Sequence, residues 1–491
     1  MMSPCTLDPH PAPGSVGRTA ARPFGPLRCA ARRWGLIAGL AAAAAGPTLA
    51  ADAPAERALF RQIYQELVEI DTSNSTGDST LAARAMARRL LDAGFAEEDM
   101  QIIEPTPRKG NLVLRYRGSG EKRPMLLLSH LDVVDARRED WGRDPFKLQE
   151  SGGYFTARGS IDDKARGAVL VSVLSQLKRE GFVPRRDLIL ALTADEELGE
   201  VPSNGVLWLL RHRRGSIDAE FGLNEGAEGE LRQDRPFALK VQLAEKIYAS
   251  YELRTSNPGG HASMPTRSNA IVDLAEALAR IARHEFAPNL SDVTRAYFQR
   301  LAAITTGPVA ADMQAVARAA PAPEAVARLS ARPAYNAQMR TTCAATMIEG
   351  GHAENALPQS AKAALNCRIL PNDDPAAIER TLATLAGDKV TLKRVTPLTS
   401  AAPSPMRPDV LAALEAAAGE VWEGVPVIPV MSNGASDSVL LRNAGIPMYG
   451  VSGLFIEPGD YRAHGRDERV RVASLYESRE FIYRLVRALS R

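Results

Sequence analysis

The stretch Met125-Leu-Leu-Leu-Ser-His-Leu-Asp-Val-Val134 runs four apolar residues into a serine, a histidine and, two positions on, an aspartate. A short apolar run without the alternation of a half-wet strand is what a parallel strand buried on both faces requires. Polar groups gathered where such a strand stops lie where open α/β sheets bind their ligands, beyond the carboxyl ends of the strands. The neighbouring segments fit this architecture. Upstream, Glu56 to Ile70 and Asp78 to Ala93 have helical spacing, Gly94 stands as C-cap of the second, and Asn111-Leu-Val-Leu-Arg-Tyr116 reads as a strand. Downstream, Ala165 to Glu180 reads as a helix and Asp187-Leu-Ile-Leu-Ala-Leu-Thr193 as a second buried strand. Strand–helix alternation from Ala55 to about Ala244 predicts an α/β domain with helices on both faces of its sheet.

From about Glu245 the texture changes. Ile247 to Arg254 alternates as a strand with one wet face does, and Asn269 to Arg283 is helical. Two more alternating strands, Thr341 to Glu349 and Gln359 to Leu370, precede a helix from Asp374 to Ala386 and a strand from Val390 to Val395. The order β-α-β-β-α-β matches a ferredoxin-like unit. Residues 285–335 form an Ala/Pro-rich, mainly helical insertion in it, and the α/β pattern resumes after about Pro397. The expected organisation is a catalytic domain of residues 51–244 and 396–491, interrupted by a small α+β lid at 245–395.

The first 50 residues read as a leader: Arg32 and Arg33, an apolar run from Trp34 to Ala45, and a small-residue cleavage site at Thr48-Leu49-Ala50. They predict export to the periplasm or exterior, by the general or the twin-arginine route, with a mature chain starting near Ala51. The leader carries five arginines against one acid, so the formal charge of +2 for the whole chain becomes −2 without it. That balance argues against a nucleic-acid partner. With 45% hydrophobic and 24% charged residues the 491-residue chain is an ordinary globular one, and no stretch after residue 50 is long and apolar enough to span a bilayer. Cys343 and Cys367 remain after the leader; a disulfide and two buried thiols are both open readings.

Four further polar clusters follow His130 and Asp132: Arg158-Gly-Ser-Ile-Asp-Asp-Lys164, Thr193-Ala-Asp-Glu-Glu-Leu-Gly199, Leu223-Asn-Glu-Gly-Ala227 and Tyr461-Arg-Ala-His-Gly-Arg-Asp-Glu468. Singly, each has an ordinary explanation. His130 reads as a hydrogen-bonded core histidine, Asp162-Asp163 as a helix N-cap, and Glu196-Glu197 as a solvated turn. Five clusters of His and carboxylates, each at a strand end or in a loop, instead suggest the donors a catalytic zinc takes. No cysteine cluster suggests a structural zinc, and no G-x-S-x-G elbow suggests a serine hydrolase.

In this order the motifs resemble the family of aminoacylase, succinyl-diaminopimelate desuccinylase, glutamate-releasing carboxypeptidase and the yeast vacuolar carboxypeptidase. The likeness is carried by Ser129-His-Leu-Asp-Val-Val134, Gly159-Ser-Ile-Asp-Asp-Lys164, Asp195-Glu-Glu197 and Gly259-Gly-His261, and runs from about residue 56 to the end. Ala165 stands where the family usually has glycine. The resemblance implies a zinc-exopeptidase α/β domain with a central mixed sheet, a ferredoxin-like lid that makes a homodimer, and two zinc ions, replaceable by cobalt or manganese. It implies that His130 and Glu225 bind one ion, Glu197 and His464 the other, and Asp162 both. Asp132 would orient the His130 ring and Glu196 would be the general base. From the lid, His261 would polarise the scissile carbonyl, Asn355 would assist it, and Arg368 would hold the substrate's carboxylate. The implied reaction is hydrolysis of an amide bond beside a free carboxylate, in a small peptide or N-acyl amino acid. Glu225, where dipeptidase- and aminopeptidase-like members tend to have Asp, tilts the reading away from them; a non-catalytic binding protein would have been expected to lose some of these residues.

Overall fold

Strand Lys122–His130 lies inside a ten-stranded mixed sheet, flanked in parallel by Arg186–Thr193 on one side and Phe221–Asn224 on the other. The structure, a computed structural model, describes residues 53–491, and the expected leader lies outside them. The unbroken apolar run is explained by the two faces of the sheet. Met125 and Leu127 point into the larger core, together with Leu188, Leu190 and Leu192. Leu126 and Leu128 point the other way, into a second core with Ile189 and Ala191. Helices Ala53–Glu69, Ser79–Asp92, Lys164–Arg179 and Val472–Leu489 contribute to the first core, and Gly205–His212 to the second. Burying each such leucine contributes roughly 1.5–3 kcal/mol. Asp78 caps its helix through Thr80 and Leu81 N–H groups, and Gly94, at φ +96°, follows the C-cap.

The sheet continues through strands that the sequence pattern did not reveal. Arg235–Glu245 pairs in parallel with Val427–Ser432 and antiparallel with Gly229–Arg232. Its apolar residues are interleaved with Pro236, Lys240, Gln242 and Glu245, the last two themselves buried, and these dilute the apolar signal. The antiparallel pairs, including Met100–Ile103 with Asn111–Tyr116, make the sheet mixed.

A separate four-stranded antiparallel sheet has the order Thr342–Gly350, Ser360–Ile369, Ile247–Ser256, Val390–Arg394. Helices Ala270–Arg283 and Pro375–Ala386 cover one face, burying Ala249, Tyr251 and Leu253 with Leu274 and Leu382. The opposite face carries Tyr248, Asn366 and Arg368, as strict alternation requires. Cys343 stands directly opposite Cys367 in the ladder, and the two form a disulfide.

The helical insertion has its own position. Helices Asp292–Ala303, Pro308–Val316, Pro323–Ser330 and Pro333–Met339 interrupt the four-stranded unit in chain order. Their apolar faces nevertheless pack on the large sheet, where Phe298, Met313 and Leu329 share a core with Ala238, Ile428 and Val430. At the junction of the two sheets, buried Lys246 donates to the carbonyl of Arg340 (2.8 Å), and the Asn289 N–H donates to the carbonyl of Met339 (2.9 Å).

Candidate active site

Three loops leave the sheet at the ends of three adjacent parallel strands. His130 closes the first strand, Asp195-Glu196-Glu197 follow the second, and Glu225 follows the third. Asp162 comes from the loop before helix Lys164–Arg179, and His464 from the loop after Phe455–Ile456. Local backbone aims these groups. Asp195 and His464 adopt left-handed φ values of +62° and +65°, conformations that turn the chain sharply and that Asp and His tolerate better than most residues. Gly450 passes so close that a Cβ there would lie 2.4 Å from the Glu225 carbonyl oxygen, so no larger residue fits behind that loop.

The side chains converge about Asp162. One of its oxygens lies 3.1 Å from His130 Nε2 and the other 3.2 Å from His464 Nε2. Glu225 approaches His130 Nε2 at 3.7 Å, and Glu197 lies 2.9 Å from His464 Nε2. Two His–Glu pairs thus face the two oxygens of one carboxylate. Donor atoms about 2.0–2.1 Å from a tetrahedral zinc stand roughly 3.3–3.4 Å from each other, and these separations bracket that value. The donor set therefore fits a pair of divalent cations.

The electrostatics point the same way. Burial, reinforced by the charge of Glu225, pushes the Glu196 and Asp163 carboxyls well above their usual range. Burial opposes a charged His130, yet Glu225, Asp132 and Asp162 outweigh it and hold the ring well above its ordinary value. Hydrogen bonds to Asp162 and Glu197 push His464 up to about 10. Although buried, the Asp162 carboxyl is pulled well below the usual range by the two histidines. So many carboxylates in one buried pocket hold protons, or hold the histidines charged, unless cations take that place.

Asp132 acts on more than one neighbour. Its carboxylate lies 3.6 Å from His130 Nδ1, whose hydrogen bond (2.9 Å) goes instead to the Asp132 carbonyl oxygen. The carboxylate accepts from the N–H groups of Glu196 (3.2 Å) and Glu197 (3.0 Å). It fixes the loop that carries both glutamates. Sequence reasoning passed over Asp163, whose carboxylate lies in one cluster with His130 and Glu225 and accepts from Ser129 Oγ (2.7 Å). The signal was its adjacency to Asp162, set aside as an N-cap; Asp163 does precede the helix, but its side chain makes no capping bond. Ala165 is fully buried and packs in the main core.

His261 and Asn355 lie elsewhere. His261 belongs to a two-stranded ribbon, Gly260–His261 with Ala356–Leu357, Asn355 immediately precedes its second strand, and both are exposed. The His261 Nδ1 accepts from Ser263 (Oγ, 2.7 Å), and the Asn355 carbonyl from the Ala262 N–H. Among the described residues, no hydrogen bond or ion pair ties the side chain of either to the His–carboxylate cluster. Arg368, half-buried, lies over the Tyr248 ring and donates to Asn366 Oδ1 (3.3 Å) and to the Asn433 carbonyl (3.0 Å). Asn433 belongs to the loop 432–438, so this contact ties the strand that carries Arg368 to that loop.

Residues 126–488 match the model of peptidase family M20/M25/M40. The chain belongs to this family. Among M20-type relatives, it is 28% identical over 388 residues to a probable carboxypeptidase S-like 2 of Dictyostelium discoideum, covering 77% of this chain and 74% of that one. It is 29% identical over 360 residues to an N-fatty-acyl-amino acid synthase/hydrolase of Xenopus tropicalis (71% and 69%), and 27% identical over 446 residues to aminoacylase-1A of Rattus norvegicus (88% and 94%). The M20 metallo-carboxypeptidase Sso-CP2 of Sulfolobus solfataricus has the same fold, with TM-score 0.64 and 16% identity over 88% of this chain and 99% of that one. So does a dinuclear metal-binding M20 peptidase of Bacillus subtilis, with TM-score 0.56 and 11% identity over 89% and 98%. The chain is accordingly an M20 hydrolase of peptide or related C–N bonds.

Proposed function

We propose that the chain is a two-zinc carboxypeptidase or N-acyl-amino-acid amidohydrolase that cuts the amide bond beside a free carboxylate. The observation that carries this reading is Asp162, one oxygen toward His130 and the other toward His464. His130 and Glu225 would hold one ion, His464 and Glu197 the other, with Asp162 shared. Bound zinc supplies Lewis acidity to the scissile carbonyl and makes a nucleophile of water near neutral pH. Glu196 takes a proton from the attacking water and delivers it to the leaving nitrogen as the C–N bond breaks. Asp132 keeps the Glu196 carboxylate in place through the backbone. Arg368 grips the substrate's carboxylate with its planar fork.

A release assay with zinc on N-acyl amino acids, dipeptides and their C-terminal amides tests this. The free acids should be cut and the amides poorly cut; a preference for amides would overturn the reading. In the same assay Arg368→Lys should raise KM for free acids by roughly 10- to 100-fold, the loss of a charge-assisted contact, and leave the amides nearly unchanged. Equal effects on both would remove Arg368 from the carboxylate site.

The reading includes a homodimer formed through the four-stranded sheet, with His261 and Asn355 serving the partner's site. Support comes from the outer strand Thr342–Gly350, exposed along most of its length, with Met347 73% and Ile348 65% exposed. Ile271, also exposed, packs beside Gly350. A bare edge strand with an apolar patch is suited to pairing about a two-fold axis. Export belongs to the same reading: the Cys343–Cys367 disulfide suits an oxidising compartment. N-terminal sequencing of exported protein should begin near Ala51; a soluble cytoplasmic product that keeps residue 1 would overturn that part.

A further inference from the structure

A buried ion pair outside the proposed ligand set joins the two loops that meet at His464. Glu468 is fully buried and Arg158 is 3% exposed. Their side chains meet at 2.7 Å, between Arg158 Nη1 and Glu468 Oε2. The other carboxylate oxygen, Oε1, accepts from the N–H of Ile161 (3.0 Å) and of Asp162 (3.2 Å). The second guanidinium nitrogen, Nη2, donates to the carbonyl oxygen of His464 (3.1 Å). One pair thus grips the backbone of both residues whose side chains face each other at 3.2 Å.

The arrangement is more than generic burial. Replacing a buried ion pair by apolar residues often leaves stability unchanged, so net stability is a weak reason to find one in a fold. This pair spends three of its contacts on backbone atoms of the two loops, and the Asp162 and His464 contacts belong to residues separated by about 300 positions in sequence. His464 sits at a left-handed φ in a loop that Arg462 and Arg469 also brace through Asp460 and Asp467, but among the described residues it is Arg158 that reaches the backbone of His464 itself. By contrast, no hydrogen bond links Arg158 or Glu468 to His130 or Glu225 among the described residues, and the contact with the shared Asp162 is to its backbone N–H, not to its carboxylate.

We propose that the Arg158–Glu468 pair is a positioning element of the metal centre, which sets the affinity of the cation held by His464 and Glu197 and leaves that at His130 and Glu225 largely alone. This rests on the two-cation reading above. Glu468→Gln tests it. The amide oxygen can still accept from Ile161 and Asp162, but the amide nitrogen then faces the guanidinium, donor against donor, and Arg158 is turned away from His464. Arg158→Lys tests it from the other side, because one ammonium cannot hold both the carboxylate and the carbonyl.

The mature protein, stripped of metal, is titrated with Co²⁺ and with Zn²⁺ alone in competition with a chelator. Absorption of bound cobalt reports the ligand environment, and circular dichroism reports the fold. Wild type should take up two ions. Glu468→Gln should keep one with little change and weaken the other by roughly 10- to 100-fold, the usual cost of losing an outer partner of a metal ligand. The spectrum of its remaining cobalt should match that of His464→Ala and differ from that of His130→Ala. Wild-type affinity at both sites, or an equal weakening of both, would overturn the proposal. If Glu468→Gln does not fold, Arg158→Lys decides by the same criteria. A wild type that binds fewer than two ions brings down the two-cation reading and this proposal together, whereas an unselective variant brings down the proposal alone.

Discussion

Glu196→Ala should lower kcat by roughly 10²–10⁴ while both metal ions stay bound, the loss expected when a general base is removed from a site that is otherwise whole. The expectation comes from how Glu196 is placed. Its backbone N–H is fixed to Asp132, one residue before Glu197, which faces His464. Its own carboxyl takes no part in the four contacts about Asp162 and the two histidines. It is half-buried, one residue along the loop from Glu197. Removing it takes away a proton carrier and no ligand. Metal analysis on the purified variant, beside its kcat, checks both halves. An empty site would make Glu196 a ligand, and near-normal turnover would end its role as base.

His261→Ala should lower kcat by about 10²–10³, the range measured when one donor to a developing oxyanion is lost. The more demanding expectation concerns mixed dimers. His261 is exposed in its ribbon, and its described contacts are with Ser263 in its own turn. If it serves the partner's site, a hybrid of one His261→Ala chain and one Glu196→Ala chain has one site with both defects and one with neither. Mixing two inactive proteins under subunit exchange should then restore activity, up to about half that of wild type per hybrid if the two sites are independent. A mixture that stays inactive although exchange is shown would place His261 in its own chain's site. Sedimentation as a monomer would rule out the partner role before any mixing.

How far the sequence could be read depended on what each element touches. Strands 122–130 and 186–193 were legible because both of their faces are covered by helices, which forces an uninterrupted apolar run. Strands of the smaller sheet were legible because one face is wet, which forces alternation. Strand 235–245 has neither constraint along its whole length and escaped notice. At the site, the motifs located the His and carboxylate groups, whereas their pairing about Asp162 depends on a loop more than 300 residues away, which no local pattern encodes. The acid after His464 was in plain view in the Tyr461–Glu468 string, but nothing in its spacing says that its carboxylate turns inward to the Asp162 loop. Cys343 and Cys367 were undecidable for the same reason: a register, not a spacing, sets them opposite one another.

The helical insertion's attachment to the large sheet has a mechanical consequence. A two-domain chain with one simple interruption crosses its junction twice. Here the chain leaves the large sheet at Glu245, returns to it for the helices of 292–339, departs again at Arg340, and comes back after Arg394. Four spans of backbone therefore bridge the gap, and they are laced together by Lys246 to the Arg340 carbonyl and by Asn289 to Met339 and Asp373. Any change of angle between the two sheets therefore has to be absorbed in all four spans at once, and in the hydrogen bonds that tie them, rather than at one pair of hinge residues.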